Sequence, residues 1–347
     1  MATAMPDYDA LLVVSFGGPE KPDDVMPFLE NVLRGRNVPR ERMLEVAEHY
    51  YHFGGISPIN GQCRTLIAAL QQEFAARGPE LPIYWGNRNW HPLLADTLSR
   101  MYADGIRNAL AFVTSAYSSF SSCRQYLDDI EQARRALENR APQVRKLRPF
   151  FNHPDFIEAN VEHGMAAVSQ IPAERRPTIQ LVFTAHSIPG AMAAGCDYEQ
   201  QLHEVGALVA ERFGGLPWKI VYQSRSGPPS QPWLAPDVCD YLREVRQRQG
   251  VTDVVVMPIG FTSDHMEVMY DLDVEARHVA EELQLNMVRS KTAGLHPRFV
   301  SMVRELVLEQ TAAATPRFLG TLGVRPNPCL DGCCPSGRSK PLPPGTV

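Results

Sequence analysis

Short apolar runs alternate along this chain with longer stretches in which hydrophobic residues recur every three or four positions. The runs at 10–16, 83–86, 109–114, 179–185, 219–223 and 253–258 are strand-sized and rich in Val, Ile, Leu and Phe. Several are nearly continuous in hydrophobicity, the mark of strands buried on both faces of a parallel sheet. Helical periodicity fills the stretches 26–34, 62–77, 126–139, 198–213 and 236–249. The alternation predicts an α/β protein. It runs twice, on either side of the Pro/Arg/aromatic stretch 142–154. We therefore expect two doubly wound, Rossmann-like halves with parallel sheets and a cleft between them. The expected bounds are 1–148 and 149–312, with a last helix near 297–314 that could pack back on the first half. From Arg325 onward Pro, Gly and Cys replace the helical pattern, so the tail 313–347 reads as a loop that needs something to order it.

Composition narrows the class. The 347 residues are 44% hydrophobic and 21% charged, enough for two ordinary cores. Lys and Arg total 34 against 39 Asp and Glu, a formal net charge of -5. Without a positive field to gather phosphates, nucleic acid is not an expected partner. No apolar run approaches the roughly 20 residues of a membrane span, which leaves peripheral membrane contact open. Residues 1–9 lack a basic-then-apolar leader pattern, and the expected location is the cytoplasm. Seven cysteines in a chain this long do not make a disulfide framework; in a reducing compartment they read as buried thiols or metal ligands. Cys63, Cys123, Cys196 and Cys239 are dispersed, whereas Cys329, Cys333 and Cys334 crowd into the tail.

In open parallel sheets chemistry gathers beyond the carboxyl ends of the strands. His186 stands there, after an apolar run and before a turn forced by Pro189. Its imidazole could take a proton near neutral pH, bind a metal, or bond only to its own turn. The segment 258–267 leaves another strand, turns at Gly260 and enters a helix bearing Glu267, Asp271 and Glu275 at spacings of four. Such residues share one drifting face, and a local π-type turn would bring all three into line. Three acids on one stripe repel, so the stripe is either a solvated face or a track for a hard cation. His265 and Phe261 beside it favour chemistry. The loop 224–233 is too proline-rich for a plain turn, and Arg88 beside a strand end could fix a carboxylate. Residues 15–19 resemble a phosphate loop superficially but lack GxGxxG and the Walker lysine.

Five segments resemble the ferrochelatase family in its own order. They are Leu-Val-Val-Ser-Phe-Gly-Gly-Pro (12–19), Phe-Gly-Gly-Ile-Ser-Pro-Ile (53–59), Phe-Thr-Ala-His-Ser-Ile-Pro (183–189), Gln-Ser-Arg-Ser-Gly-Pro-Pro (223–229) and Phe-Thr-Ser-Asp-His-Met-Glu (261–267). The resemblance spans about 9–312. It implies a chelatase-like fold and a lyase that inserts ferrous iron into a porphyrin, with His186 and Glu267 facing each other across the macrocycle. His265 would assist Glu267, and Asp271 and Glu275 would lead away as an acidic iron track. Arg88 would take a propionate. Phe16, Tyr117, Phe120, Tyr126, Ser57, Ile59 and Phe261 would contact the ring. A planar porphyrin resists metallation because its two N–H protons point into the hole, so a cleft that bends the ring and offers a base would help.

The opening motif and the segment 117–126 are similar to bacterial members that act on coproporphyrin III, which makes coprohaem the expected product. Protoporphyrin IX is the alternative, followed by another tetrapyrrole chelatase and a non-catalytic haem or porphyrin carrier. Some members hold a [2Fe–2S] cluster with one internal and three C-terminal cysteines. Here Cys329, Cys333 and Cys334 supply three, and Cys123 is taken as the fourth, with Cys63 and Cys196 left open. An exposed thiol tail or a zinc site would account for the same residues.

Overall fold

The apolar runs become strands of two four-stranded parallel sheets in the computed structural model, which describes residues 7–35, 38–138, 140–228, 230–248, 250–329 and 332–337. Strands β1 (Ala10–Ser15), β2 (Ile83–Asn87), β3 (Asn108–Val113) and β4 (Gln143–Lys146) take the order β2-β1-β3-β4. Strands β5 (Gln180–His186), β6 (Trp218–Gln223), β7 (Asp253–Met257) and β8 (Asn286–Arg289) repeat that topology as β6-β5-β7-β8. In each sheet the connections leave the first strand toward opposite edges, which opens a crevice at its carboxyl end.

Strands β4 and β8 are additions to the expected set. Both are four-residue edge strands, Gln-Val-Arg-Lys and Asn-Met-Val-Arg. An edge strand tolerates polar residues, so it carries little of the hydrophobic run that marks a buried one. The first half also holds α1 (Val25–Val32), α2 (Arg40–His52), α3 (Ile59–Arg77), α4 (Leu94–Ala103) and α5 (Gln125–Ala136). The second holds α6 (Pro154–Val168), α7 (Gly190–Ala193), α8 (Tyr198–Ala210), α9 (Val238–Arg246), α10 (Met266–Val268), α11 (Arg277–Glu282) and α12 (Pro297–Thr311). Helix α6 eluded the sequence pattern because residues on most of its sides are buried, which erases the polar face that makes periodicity legible.

Alternate side chains of each strand go to opposite faces. Leu11, Val13, Leu110 and Phe112 join Leu181, Phe183, Val255 and Met257 in one core that runs between the two sheets. Phe156 of α6 and Phe299 of α12 fill its middle, with Phe150 packed edge-on against both at 5.6 Å. Helix α12 lies on both α6 and α3, so the chain returns to the first half after completing the second sheet. Ala10, Leu12 and Val14 face a separate outer core, and Val182, Val221, Val254 and Val256 another. A fourth, small cluster gathers Val25, Phe28, Leu29, Ala47 and Tyr50 around Met266.

Helices α6 and α12 begin alike. His153 and His296 cap them through Nδ1, each accepting from a backbone N–H two residues on at 3.2 Å, with proline at the first helical position. The His153, Asp155 and Glu305 ligand atoms lie close enough to suggest a metal site. Arg317 already bridges those carboxylates, at 2.7 Å from Glu305 and 3.4 Å from Asp155. With Nδ1 accepting, the His153 proton sits on Nε2, 3.1 Å from Glu305. The two carboxylates are paired with Arg317, and His153 stands beside them as a neutral ring.

Burial, then the Arg148 and Arg317 charges, push the His153 pKa down from 6.5 to about 3. The unfolded chain therefore binds a proton that the folded chain refuses, and stability falls as pH drops from 6.5 toward 3. Asparagine would keep the cap without titrating. Wild type is expected to lose about 1.4 kcal/mol per pH unit more than His153→Asn below pH ~6.5. Chemical denaturation at two pH values tests this, and equal slopes would refute it.

The tail is ordered by hydrogen bonds as far as it is described. Glu204 accepts from Thr321 and Leu322, Asn152 pairs with Leu319 and Gly323, and Arg325 meets Asp197 at 2.6 Å. Residues 330–331 and 338–347 of the expected tail lie outside the described residues.

Candidate active site

His186 ends β5 at the crevice of the second sheet, and Glu267 follows β7, the neighbouring strand. Gly260 permits the approach between them: a Cβ there would stand 2.5 Å from Ala185 Cα, and its N–H donates to Thr184 O at 2.9 Å. The turn delivers Phe261, His265 and Glu267 to the mouth of β5. His186 Nε2 lies 3.6 Å from Glu267 Oε2, with both side chains partly open to the cleft. The other nitrogen, Nδ1, contacts the Ser187 carbonyl, and a carbonyl only accepts. Nδ1 therefore carries the hydrogen and Nε2 offers a lone pair to the cleft. Tyr198 donates to the His186 carbonyl at 3.0 Å and anchors the strand end.

Glu267 lies in α10, and a π-helix, Met269–Ala276, follows it. The wider turn carries the acidic stripe on through Asp271 and Glu275. Burial, with the Glu267 and Glu275 charges, pushes the Asp271 carboxyl up to about 7 against the pull of Ser224 and Gln223. Burial and nearby Asp237, at the start of α9, raise Glu275. The stripe thus runs from the cleft toward the outer face. Asp273 and Asp264 are not on it: both are bound by Arg289, at 2.7 and 2.5 Å. His265 sits edge-on to Phe261 at 5.3 Å, and burial lowers its pKa.

Helix α2 covers the site from the first half. His49 stacks on Tyr270 of the π-helix at 3.7 Å, and burial together with the Glu267 charge raises the Tyr50 pKa. Neither His49 nor Tyr50 was singled out by the sequence. They lie on a helix whose periodicity is weak, and their partners are more than 200 residues away.

The expected ring contacts divide. Phe16 and Phe120 are partly exposed, and Phe261 is buried beneath His265. Tyr117 differs from its expected place at the ring: it is fully buried, packs on Phe151, Phe156 and Tyr198, and donates to Ile259 O at 2.9 Å. It clamps one half to the other and forms no cleft wall. Tyr126 is likewise buried, beneath the Arg88 guanidinium at 4.5 Å. Arg88 is only 6% exposed, pairs with Asp129 and also lies over Phe16. Any substrate carboxylate would have to share it. Ser57 and Ile59 pack against Gly18 and support the loop after β1.

A second cluster gathers where the tail meets the β3 loop and the segment after His186. Cys329 contacts Cys123, the Cys333 and Cys334 sulfurs are 3.2 Å apart, and Cys196 joins three of them around a cavity of about 280 Å³. The Cys123 contact and the Lys146 charge draw Cys329 down to about 7, while the same contact and burial raise Cys123. Cys63 lies apart, buried in α3 beside Ser15.

A family described as ferrochelatase matches residues 8–311. A ferrochelatase of Rhodopirellula baltica is 55% identical over 331 residues, covering 95% of this chain and 94% of that protein. A coproporphyrin III ferrochelatase of Streptomyces coelicolor is 51% identical over 361 residues, with 97% and 96% covered. Among solved structures, SirB of Bacillus subtilis with Fe3+ superposes with a TM-score of 0.52 at 13% identity, covering 88% of this chain and 98% of that one. At that identity the likeness concerns the fold.

Proposed function

The chain belongs to the ferrochelatase family, and from that premise we propose that it inserts ferrous iron into coproporphyrin III to give coprohaem. The carrying observation is the His186–Glu267 pair at the crevice of the second sheet, 3.6 Å apart. Insertion exchanges two pyrrole protons for Fe2+ and moves no net electrons. The free lone pair on His186 Nε2 suits it to accept a pyrrole proton. Glu267, with His265 behind it, offers a carboxylate to the arriving cation or to the second proton. Asp271 and Glu275 supply hard oxygen ligands along the approach, which suit transient binding better than thiolates would. Phe16 and Phe120 offer apolar contact to the ring.

Coproporphyrin III as substrate is supported by the names of relatives near 50% identity, such as those of Streptomyces coelicolor and Nocardia farcinica. Among the described residues no helix is long and apolar enough to cross a membrane. We place the chain in the cytoplasm, where cysteines stay reduced unless they hold a metal.

The donor set at the tail fits a [2Fe–2S] cluster held by Cys123, Cys329, Cys333 and Cys334. Two thiol pairs meet there, Cys123 with Cys329 and Cys333 with Cys334, one thiol already drawn toward thiolate with the Lys146 cation alongside, and Cys196 lines the same cavity. Such a group, when bound, cross-links the tail to the β3 loop, and metal insertion needs no electron from it.

The test is anaerobic purification, a visible spectrum, and ferrous-iron insertion followed optically with coproporphyrin III and protoporphyrin IX in parallel. Faster turnover with coproporphyrin III is expected, and preference for protoporphyrin IX would overturn the substrate. A colourless, iron-free protein would overturn the cluster. Tight porphyrin binding without turnover would favour a carrier.

A further inference from the structure

Strand β6 runs parallel to β5 with Gln223 in register with His186, so the two strand ends open into the same crevice. The next residue, Ser224, has φ +60°, a left-handed conformation that glycine and asparagine adopt readily and serine rarely. That backbone turns the Ser224 hydroxyl onto Asp271 Oδ2. Gln223 Nε2 donates to the same oxygen at 3.1 Å. Gln223 is 1% exposed, and its Oε1 has no hydrogen-bond partner among the described residues. A buried amide held with its acceptor unused is held for its donor. Two neutral donors on one oxygen leave Oδ1 of Asp271 outside the clamp.

We propose that Gln223 and Ser224 are positioning residues of the acidic stripe, holding Oδ2 of Asp271 so that Oδ1 serves a divalent cation passing between Glu275 and Glu267. The proposal rests on the reading of that stripe as the iron track. A carboxylate pinned at one oxygen binds a cation through the other and releases it readily. An unpinned carboxylate samples many rotamers and presents a ligand to the track only part of the time. Neither residue touches the reacting atoms, so their loss should alter capture of iron and leave ring binding alone.

Ser224→Gly separates the hydroxyl from the backbone, because glycine accepts the left-handed conformation while the donor is lost. Ser224→Asn keeps the conformation and restores an N–H donor. Anaerobic steady-state insertion with ferrous iron and coproporphyrin III gives the KM for each substrate, alongside melting temperatures. In Ser224→Gly the iron KM should rise about ten-fold, the size expected for one hydrogen bond to a charged group, with porphyrin KM and melting unchanged. Ser224→Asn should recover most of the loss. An unchanged iron KM in Ser224→Gly, where Asp271→Ala raises it, would overturn the clamp and leave the track standing. An unchanged iron KM in Asp271→Ala would overturn both. Equal losses in both KM values and in melting would make Ser224 merely structural and also overturn the proposal.

Discussion

His186→Ala is expected to slow iron insertion by about 10²–10⁴-fold, the range for removing a positioned general base, while the chain stays folded and still binds porphyrin. The expectation follows from how the imidazole is held. Its Nδ1 hydrogen is engaged by the Ser187 carbonyl, so Nε2 is committed to the cleft as an acceptor. The side chain is 38% exposed, so truncation leaves no large cavity. Insertion rates read from the metalloporphyrin spectrum, porphyrin affinity from fluorescence quenching and a thermal melt form the measurement. Wild-type turnover in the folded variant would remove His186 from the chemistry.

Glu267→Gln carries the second largest expected effect, a fall of at least about 10²-fold. The substitution keeps shape and removes the charge. Glu267 begins the acidic stripe, and its charge bears on Asp271, His265 and Tyr50. An amide in its place cannot accept a proton at neutral pH, and its neutral oxygen stabilises an arriving cation far less than a carboxylate does. Because the two groups act on one exchange of protons for metal, His186→Ala/Glu267→Gln should be little slower than the worse single variant. Losses that multiply in the double variant would mean independent roles, and full activity in Glu267→Gln would sink the facing-pair assignment.

Much of this site was legible because its signals are local. Pro189 after an apolar run announces a strand end at His186, and the four-residue spacing of Glu267, Asp271 and Glu275 anticipates the π-helix that carries Asp271 and Glu275 on from Glu267. What was illegible depends on partners far away in sequence. Arg88 reads as a free guanidinium until Asp129 is found beside it. Tyr117 follows β3 among other aromatic and small polar residues, and nothing local distinguishes a cleft wall from a core residue that reaches Ile259. Ser224 had only a proline-rich neighbourhood to mark it, since a left-handed serine leaves no compositional trace. The same holds for the fold: long buried strands show their runs, while the short polar edges β4 and β8 do not.

The core that joins Phe112 and Phe156 to Phe183 and Phe299 bears on how the cleft could move. Swinging the halves apart like jaws would wet those rings, at about 1.5–3 kcal/mol for each side chain fully exposed. That sum would consume most of a domain's ordinary stability. The separate cluster around Phe28 and Tyr50, by contrast, meets the second half through Met266 and the stacked His49–Tyr270 rings. A shift of α1 and α2 over that smaller contact would therefore cost far less than parting the two halves across the core they share.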